Sequence, residues 1–266
     1  MLKLTAALIF PLVIGIGFHF SPAAGPSQAS GDLLKNNSCV ACHSQLTNPP
    51  ELASRFLDWR ASGHAAREVS CDKCHGGDPD SKDLNKAHRG VLPSSDSQSR
   101  LSASNVTQTC GSCHKAIAKS FVESVHYQRL INSGMGPSCT SCHGHMASSV
   151  RRSGPQGEEL CTYCHNAVDG LLAPRPDIPA DSKATLDAIQ RTEYVLGWIR
   201  DLINKADARH LHVSTEREQA SEVAASIEGA KIAWHTFNVT GVKEMANKSY
   251  LQAVDIKERL LKRLAD

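Results

Sequence analysis

The sequence predicts a mainly α protein with extensive loops, in which a cysteine-rich region is followed by a cysteine-free helical hairpin or small bundle. All ten cysteines fall in five copies of C-x-x-C-H between Cys39 and His165. That region is punctuated by loop residues and contains an internal repeat, which favours short helices over extended sheet. Beyond it, apolar residues recur at helical spacing almost to the end of the chain.

The first element is N-terminal. Met-Leu-Lys leads into the apolar run Leu4 to Phe20, and SPAAGPSQASG then offers small-residue cleavage sites at Ala23-Ala24-Gly25 and Gln28-Ala29. Residues 1–29 are therefore expected to be a secretory signal, which makes the protein periplasmic or otherwise exported. The alternative is an uncleaved membrane anchor. The run is at the lower limit for a span, and Pro11, Gly15, Gly17 and His19 weaken it.

The whole chain has 41% hydrophobic and 21% charged residues and a formal charge of +2. No clustered basic stripe accompanies that balance, so nucleic acid is not an expected partner. Only 5% of residues are aromatic.

The second element, residues 30–170, is built on the cysteines. Two thiols three residues apart and a following histidine form the c-type haem attachment motif: the thiols add to the porphyrin vinyl groups and the histidine ligates iron. With ten cysteines and thirteen histidines in the chain, chance would supply roughly 0.02 copies of it. Zinc ribbons use two C-x-x-C pairs per metal and have no need of a histidine after each pair. A disulfide framework explains neither the uniform spacing nor the histidines. Five haem c groups are expected, on Cys39 and Cys42, Cys71 and Cys74, Cys110 and Cys113, Cys139 and Cys142, and Cys161 and Cys164. Their proximal ligands are His43, His75, His114, His143 and His165. The five motifs occupy 127 residues, about 25 per haem, so the porphyrins themselves would be the main buried apolar material.

The repeat supplies second axial ligands. CVACH, Trp59-x-x-Ser62-x-His64 and CDKCHG are echoed by CGSCH, Phe121-x-x-Ser124-x-His126 and CTSCHG. Each unit reads as a haem motif, an aromatic-led helical stretch ending in histidine, and another haem motif. His64 and His126 are thus candidate distal ligands, and His88 is a third. His145 lies two residues past His143; it would have to cross the porphyrin to reach the same iron, so it is expected either to serve a neighbouring haem or to be a solvated loop residue. Counting His210, His212 and His235 gives seven candidates for five positions. Every iron can then be six-coordinate, as suits electron transfer, whereas a catalytic haem needs an open site. Met135 and Met146 are weaker substitutes that would raise a potential.

TCGSCHKAIAKSFVESVHYQRLINSGMGPSCTSCHG and DWRASGHAAREVSCDKCHGGDP resemble the multihaem cytochrome c superfamily, particularly periplasmic cytochromes of anaerobic respiration and nitrogen metabolism, over residues 39 to 165. The resemblance implies electron transfer through stacked bis-histidine haems, with redox proteins as partners. Such families often read CHG-x-H; here one residue is missing before His145. No C-x-x-C-K is present, so the lysine-ligated site of pentahaem nitrite reductases has no counterpart. Two other functions stay open: a reductase of small nitrogen or sulfur oxyanions with one open haem, and a membrane-anchored quinol dehydrogenase working with a quinol-oxidising complex.

The prolines of LLAPRPDIPADS mark a linker at 171–181. In the last element, 182–266, a helical stripe runs from Leu186 through Ile203, Thr215-x-x-Glu218 reads as a capping box opening a second helix, and a third stretch follows from Met245 to Leu260. These helices are a surface through which the chain could form a homo-oligomer. In similar cytochromes, helices after the last motif return a histidine to a haem. That analogy makes His235, in KIAWHTFNVTGV, the fifth distal candidate, with His210 and His212 as alternatives and a plain packing histidine as the competing reading.

Overall fold

The computed structural model describes residues 36–144, 155–165 and 174–265, and among them the chain is helix, turn and loop. The expected leader at 1–29, His145 and Met146 lie outside the described residues. The protein is mainly α, as the cysteine spacing and apolar periodicity lead one to expect.

The motif region is a string of short helices: α1 (Ser38–His43), α2 (Pro50–Arg60), a 3-10 turn (Ala65–Arg67), α3 (Cys71–His75), α4 (Leu84–Ala87), α5 (Val106–Gly111), α6 (Lys115–Val122), α7 (Val125–Ser133), α8 (Cys139–His143) and α9 (Pro155–His165). Four of the five haem motifs close a helix with their histidine; the third straddles the break between α5 and α6, and His114 caps α6. Polar caps account for the starts. The Asn37 side chain accepts from the Val40 amide, Asp83 from Lys86, and Ser124 from Tyr127, satisfying amides that a short helix leaves unpaired.

Protein side chains fill little of this region. Phe56, Trp59 and Ala65 form a small cluster with Val40 against it, and the Trp59 indole donates to the Val69 carbonyl at 3.0 Å. Leu57, Leu84 and Val125 are exposed. A chain that leaves such residues uncovered while burying few others fits one wrapped around apolar groups other than its own side chains.

The C-terminal region is a three-helix bundle of α10 (Asp177–Ala208), α11 (Ser214–Trp234) and α12 (Val239–Ala265). In α12, Val242, Ala246, Ser249, Ala253, Ile256 and Leu260 are buried at alternating steps of four and three residues, the spacing of helices that pack lengthwise. They meet Ile199 and Ile203 of α10 and Val223 and Ile227 of α11. Ser249 is satisfied within that seam, Ser226 Oγ to Ser249 Oγ at 2.8 Å.

Two expectations are corrected. Helix α10 begins at Asp177, inside the stretch expected as a linker, with Pro176 as its cap and Pro179 in the first turn. First-turn amides have no partner within the helix, so proline is tolerated there. The Thr215 to Glu218 capping box does not form: Val213 occupies the cap position without a side-chain bond. Instead the buried Glu216 carboxylate pairs with Arg263 of α12 at 3.0 Å, so a tertiary contact holds the start of α11.

Candidate functional site

Each repeat histidine stands on a turn that a buried serine begins. Trp59 and Phe121 lie near the ends of α2 and α6, after which the chain breaks. Ser62 Oγ then accepts from the His64 and Ala65 amides at 3.2 and 3.3 Å, and Ser124 Oγ accepts from the Tyr127 amide at 3.1 Å. The histidines therefore open a new turn rather than end a helix, which corrects the sequence reading of these stretches. A serine two residues before histidine, shared by both repeats, was the visible signal.

Glycine lets other segments press close beside two of the candidate histidines, His126 and His88. A Cβ on Gly136 would collide with the backbone carbonyl of His126, and one on Gly77 with that of Ala87, the residue before His88. Gly77 also has a φ of +86°, which disfavours other residues.

The structure sets four motif histidines opposite four of the candidate distal histidines, one pair stacked and three tilted or edge-on. Ring centres are 6.2 Å apart for His43 and His88, 6.1 Å for His114 and His64, 6.0 Å for His165 and His126, and 6.2 Å for His143 and His235. Two metal–imidazole bonds of about 2 Å, plus about 1 Å from each nitrogen to its ring centre, give a separation of about 6 Å. The spacing fits one iron between each pair.

Hydrogen bonding points the same way. His88 Nδ1 lies 2.8 Å from the Leu84 carbonyl and His235 Nδ1 lies 2.9 Å from the Lys231 carbonyl. A carbonyl can only accept, so Nδ1 carries the proton and Nε2 keeps its lone pair. His126 Nδ1 is buried without a hydrogen-bond partner. Burial holds His43, His75, His126, His143, His165 and His235 below the ordinary imidazole value, which favours the neutral form that can bind a metal. The facing imidazoles add to this, His88 at His43 and His235 at His143.

The motifs adjoin one another in chain order. Cys71 is pushed up to about 11 by burial and then by the adjacent Cys39. Cys74 is raised by burial, against the pull of Arg100, with Cys113 also nearby. Cys110 and Cys139 share a hydrogen bond that pushes Cys110 up and draws Cys139 down to about 6. The first four motifs thus form a continuous succession.

The C-terminal bundle enters the site at the end of α11. His235 caps α11, and beyond it Phe237 packs on the His126 ring and at 6.3 Å from Phe121. His210 and His212, the alternatives to His235, are exposed at the turn between α10 and α11. Among the described residues His75 has no ring pair of this kind, its imidazole neighbour being the already paired His43, and Met135 is 58% exposed.

Residues 23–76 match the family model described as cytochrome c554 and c-prime. The chain is 26% identical over 191 residues to the C-type polyheme cytochrome OmcC of Geobacter sulfurreducens, covering 72% of this chain and 22% of that protein. It is 27% identical over 177 residues to the cytochrome c-type protein NrfH of Wolinella succinogenes, covering 62% of this chain and 83% of that protein. The chain thus spans about a fifth of the length of the Geobacter relative and most of the Wolinella one. No solved structure matches.

Proposed function

We propose that this chain, a multihaem c-type cytochrome, carries five covalently attached haems and relays electrons between redox partner proteins outside the cytoplasm. The observation that carries the reading is the set of four histidine pairs with ring centres 6.0 to 6.2 Å apart. Each C-x-x-C-H pair of thiols would tether one haem, and the histidines that would hold its iron are His43 with His88, His114 with His64, His143 with His235, and His165 with His126. Haem iron so held supplies reversible one-electron exchange. The chain's part is to keep two neutral imidazoles in fixed positions, which limits rearrangement when the charge on the site changes, and to set the attachment motifs side by side.

The remaining motif histidine, His75, is assigned His145 as its partner. With His88, His64, His126 and His235 paired and His210 and His212 exposed at a distant turn, His145 is the candidate left for it. A membrane quinol-oxidising complex is one donor this reading admits.

Low-temperature electron paramagnetic resonance of the oxidised, haem-loaded protein tests the assignment. Wholly low-spin iron from five centres is expected. A stoichiometric high-spin component would instead support a second reading, in which the haem on His75 is open and reduces a small nitrogen or sulfur oxyanion. That alternative is kept because among the described residues His75 has no ring pair of the kind the other four motif histidines have.

A further inference from the structure

Helix α10 carries a second stripe that its own bundle does not use. Its inward face runs through Ala188, Val195, Ile199 and Ile203. Beside that face, Asp187, Arg191, Tyr194, Trp198, Asp201 and Lys205 recur at alternating steps of four and three residues, the spacing of a helix that packs lengthwise on another. Tyr194 is 63% exposed and Trp198 59%. In a chain with 5% aromatic residues, two large rings one turn apart in mid-helix have the composition of an interface rather than of a solvated face. The face is ordered from α12: Lys257 Nζ sits 5.9 Å above the Trp198 ring, and the Arg191 guanidinium 5.2 Å above Tyr250.

The order of the residues identifies the occupant. Tyr194 and Trp198 lie two residues either side of Leu196, Arg191 and Asp201 five, and Asp187 and Lys205 nine. Each charge has the opposite charge at its mirror position. A copy of the helix laid antiparallel across a two-fold axis at Leu196 would set each residue against its mirror partner, because the alternating positions of one helix face those of the other. Arg191 would meet Asp201, Asp187 would meet Lys205, and Tyr194 would meet Trp198, each twice. In a parallel register every charge would meet itself. A different partner protein would require no such inversion. Gly197, at the level of the axis and flanking the stripe, has open space where a side chain would stand, so nothing crowds that edge of the contact.

We propose that the protein forms an isologous dimer through this stripe of α10, with the two helices antiparallel. The contact runs about 27 Å along the helix. It competes with exposed contacts that are worth little in water, the ion pair of Asp187 with Lys183 at 2.7 Å and the Arg191 guanidinium over Tyr250. The arrangement directs the two motif regions toward opposite ends of the dimer.

Sedimentation equilibrium of the haem-loaded full chain is expected to give twice the monomer mass. Arg191→Asp alone would set carboxylate against carboxylate at both symmetry-related contacts, and Asp201→Lys alone would set cation against cation. Each is expected to weaken self-association about tenfold or more. An equal mixture of the two variants restores opposite charges at both contacts, so it should dimerise about as tightly as the unaltered chain. Unchanged haem spectra would show that both variants remain folded. A protein monomeric throughout the micromolar range, a dimer indifferent to both reversals, or a mixture that fails to recover would each overturn the proposal.

Discussion

The His143 and His235 rings lie 6.2 Å apart and within 10° of parallel, one at the end of α8 and the other on the cap of α11. The C-terminal bundle is therefore more than a scaffold beside the motifs: it delivers one imidazole into their midst. Phe237, three residues past the end of α11, packs on His126 and so ties a second pair to the same turn.

Replacing His235 with Ala should open one iron, giving a high-spin signal and carbon monoxide binding to the reduced protein at one haem of five. The double variant His210→Ala, His212→Ala should stay wholly low-spin, since both residues are exposed at a turn. High-spin iron only in the double variant would move the assignment to those residues.

His64→Met should leave all haems attached, because attachment depends on the cysteines. It should raise a single potential by on the order of 100 mV, within the roughly 0.8 V range that axial ligands span. The pairing of His64 with His114 places the change at the third motif, neither of the two that flank His64 in sequence. Redox titration combined with nuclear magnetic resonance assignment would locate it. A shift at the first or second motif would refute the crossed pairing.

His145→Ala separates the two readings of the haem on His75. If His145 is its ligand, the variant gains one high-spin centre that the unaltered protein lacks. If both proteins show the same high-spin signal, that haem is open from the start.

Gly136→Ala should displace α7, since the added carbon would overlap the His126 carbonyl. A destabilisation of about 1–3 kcal/mol is expected for such overpacking. Its spectroscopic mark should be partial high-spin character at the fifth motif, where His126 faces His165. Loss of stability with an unaltered spectrum would mean that the turn does not position the histidine.

Asp72 links the first two motifs: its carboxylate accepts from Ser70 Oγ and from Asn37 Nδ2 at 3.4 Å, and pairs with Lys73 at 2.8 Å. Burial works to raise this carboxyl, but bonds from Lys73 and Ser70 prevail and hold it below the ordinary value. The stabilisation is therefore present above the unfolded carboxylate value, near 4, and lost as pH falls through the lower folded one. Asp72→Asn should cost about 1–2 kcal/mol at neutral pH and flatten the acid limb of a stability–pH curve measured by chemical denaturation. An unaltered acid limb would remove Asp72 from that role.

Much of the site was legible in the sequence because its chemistry is local. Two thiols and a histidine within five residues define a haem attachment wherever the chain runs, and the repeat exposed His64 and His126 through matched spacing. Alternating apolar steps likewise marked the C-terminal helices. Other features depended on what stands opposite. Nothing near His64 in the chain says that it faces His114, and nothing near His235 says that it faces His143 rather than packing between helices; a distal ligand is chosen by the ring across from it. The start of α10 among prolines and that of α11 without its capping box were decided in the same way, by an unpartnered first turn in one case and by Arg263 meeting a buried Glu216 in the other. The sequence alone determined which residues can bond to haem, since that follows from side-chain chemistry and short spacing. Only the tertiary structure decided which histidines stand opposite one another, because that pairing depends on distances set when separate helices pack.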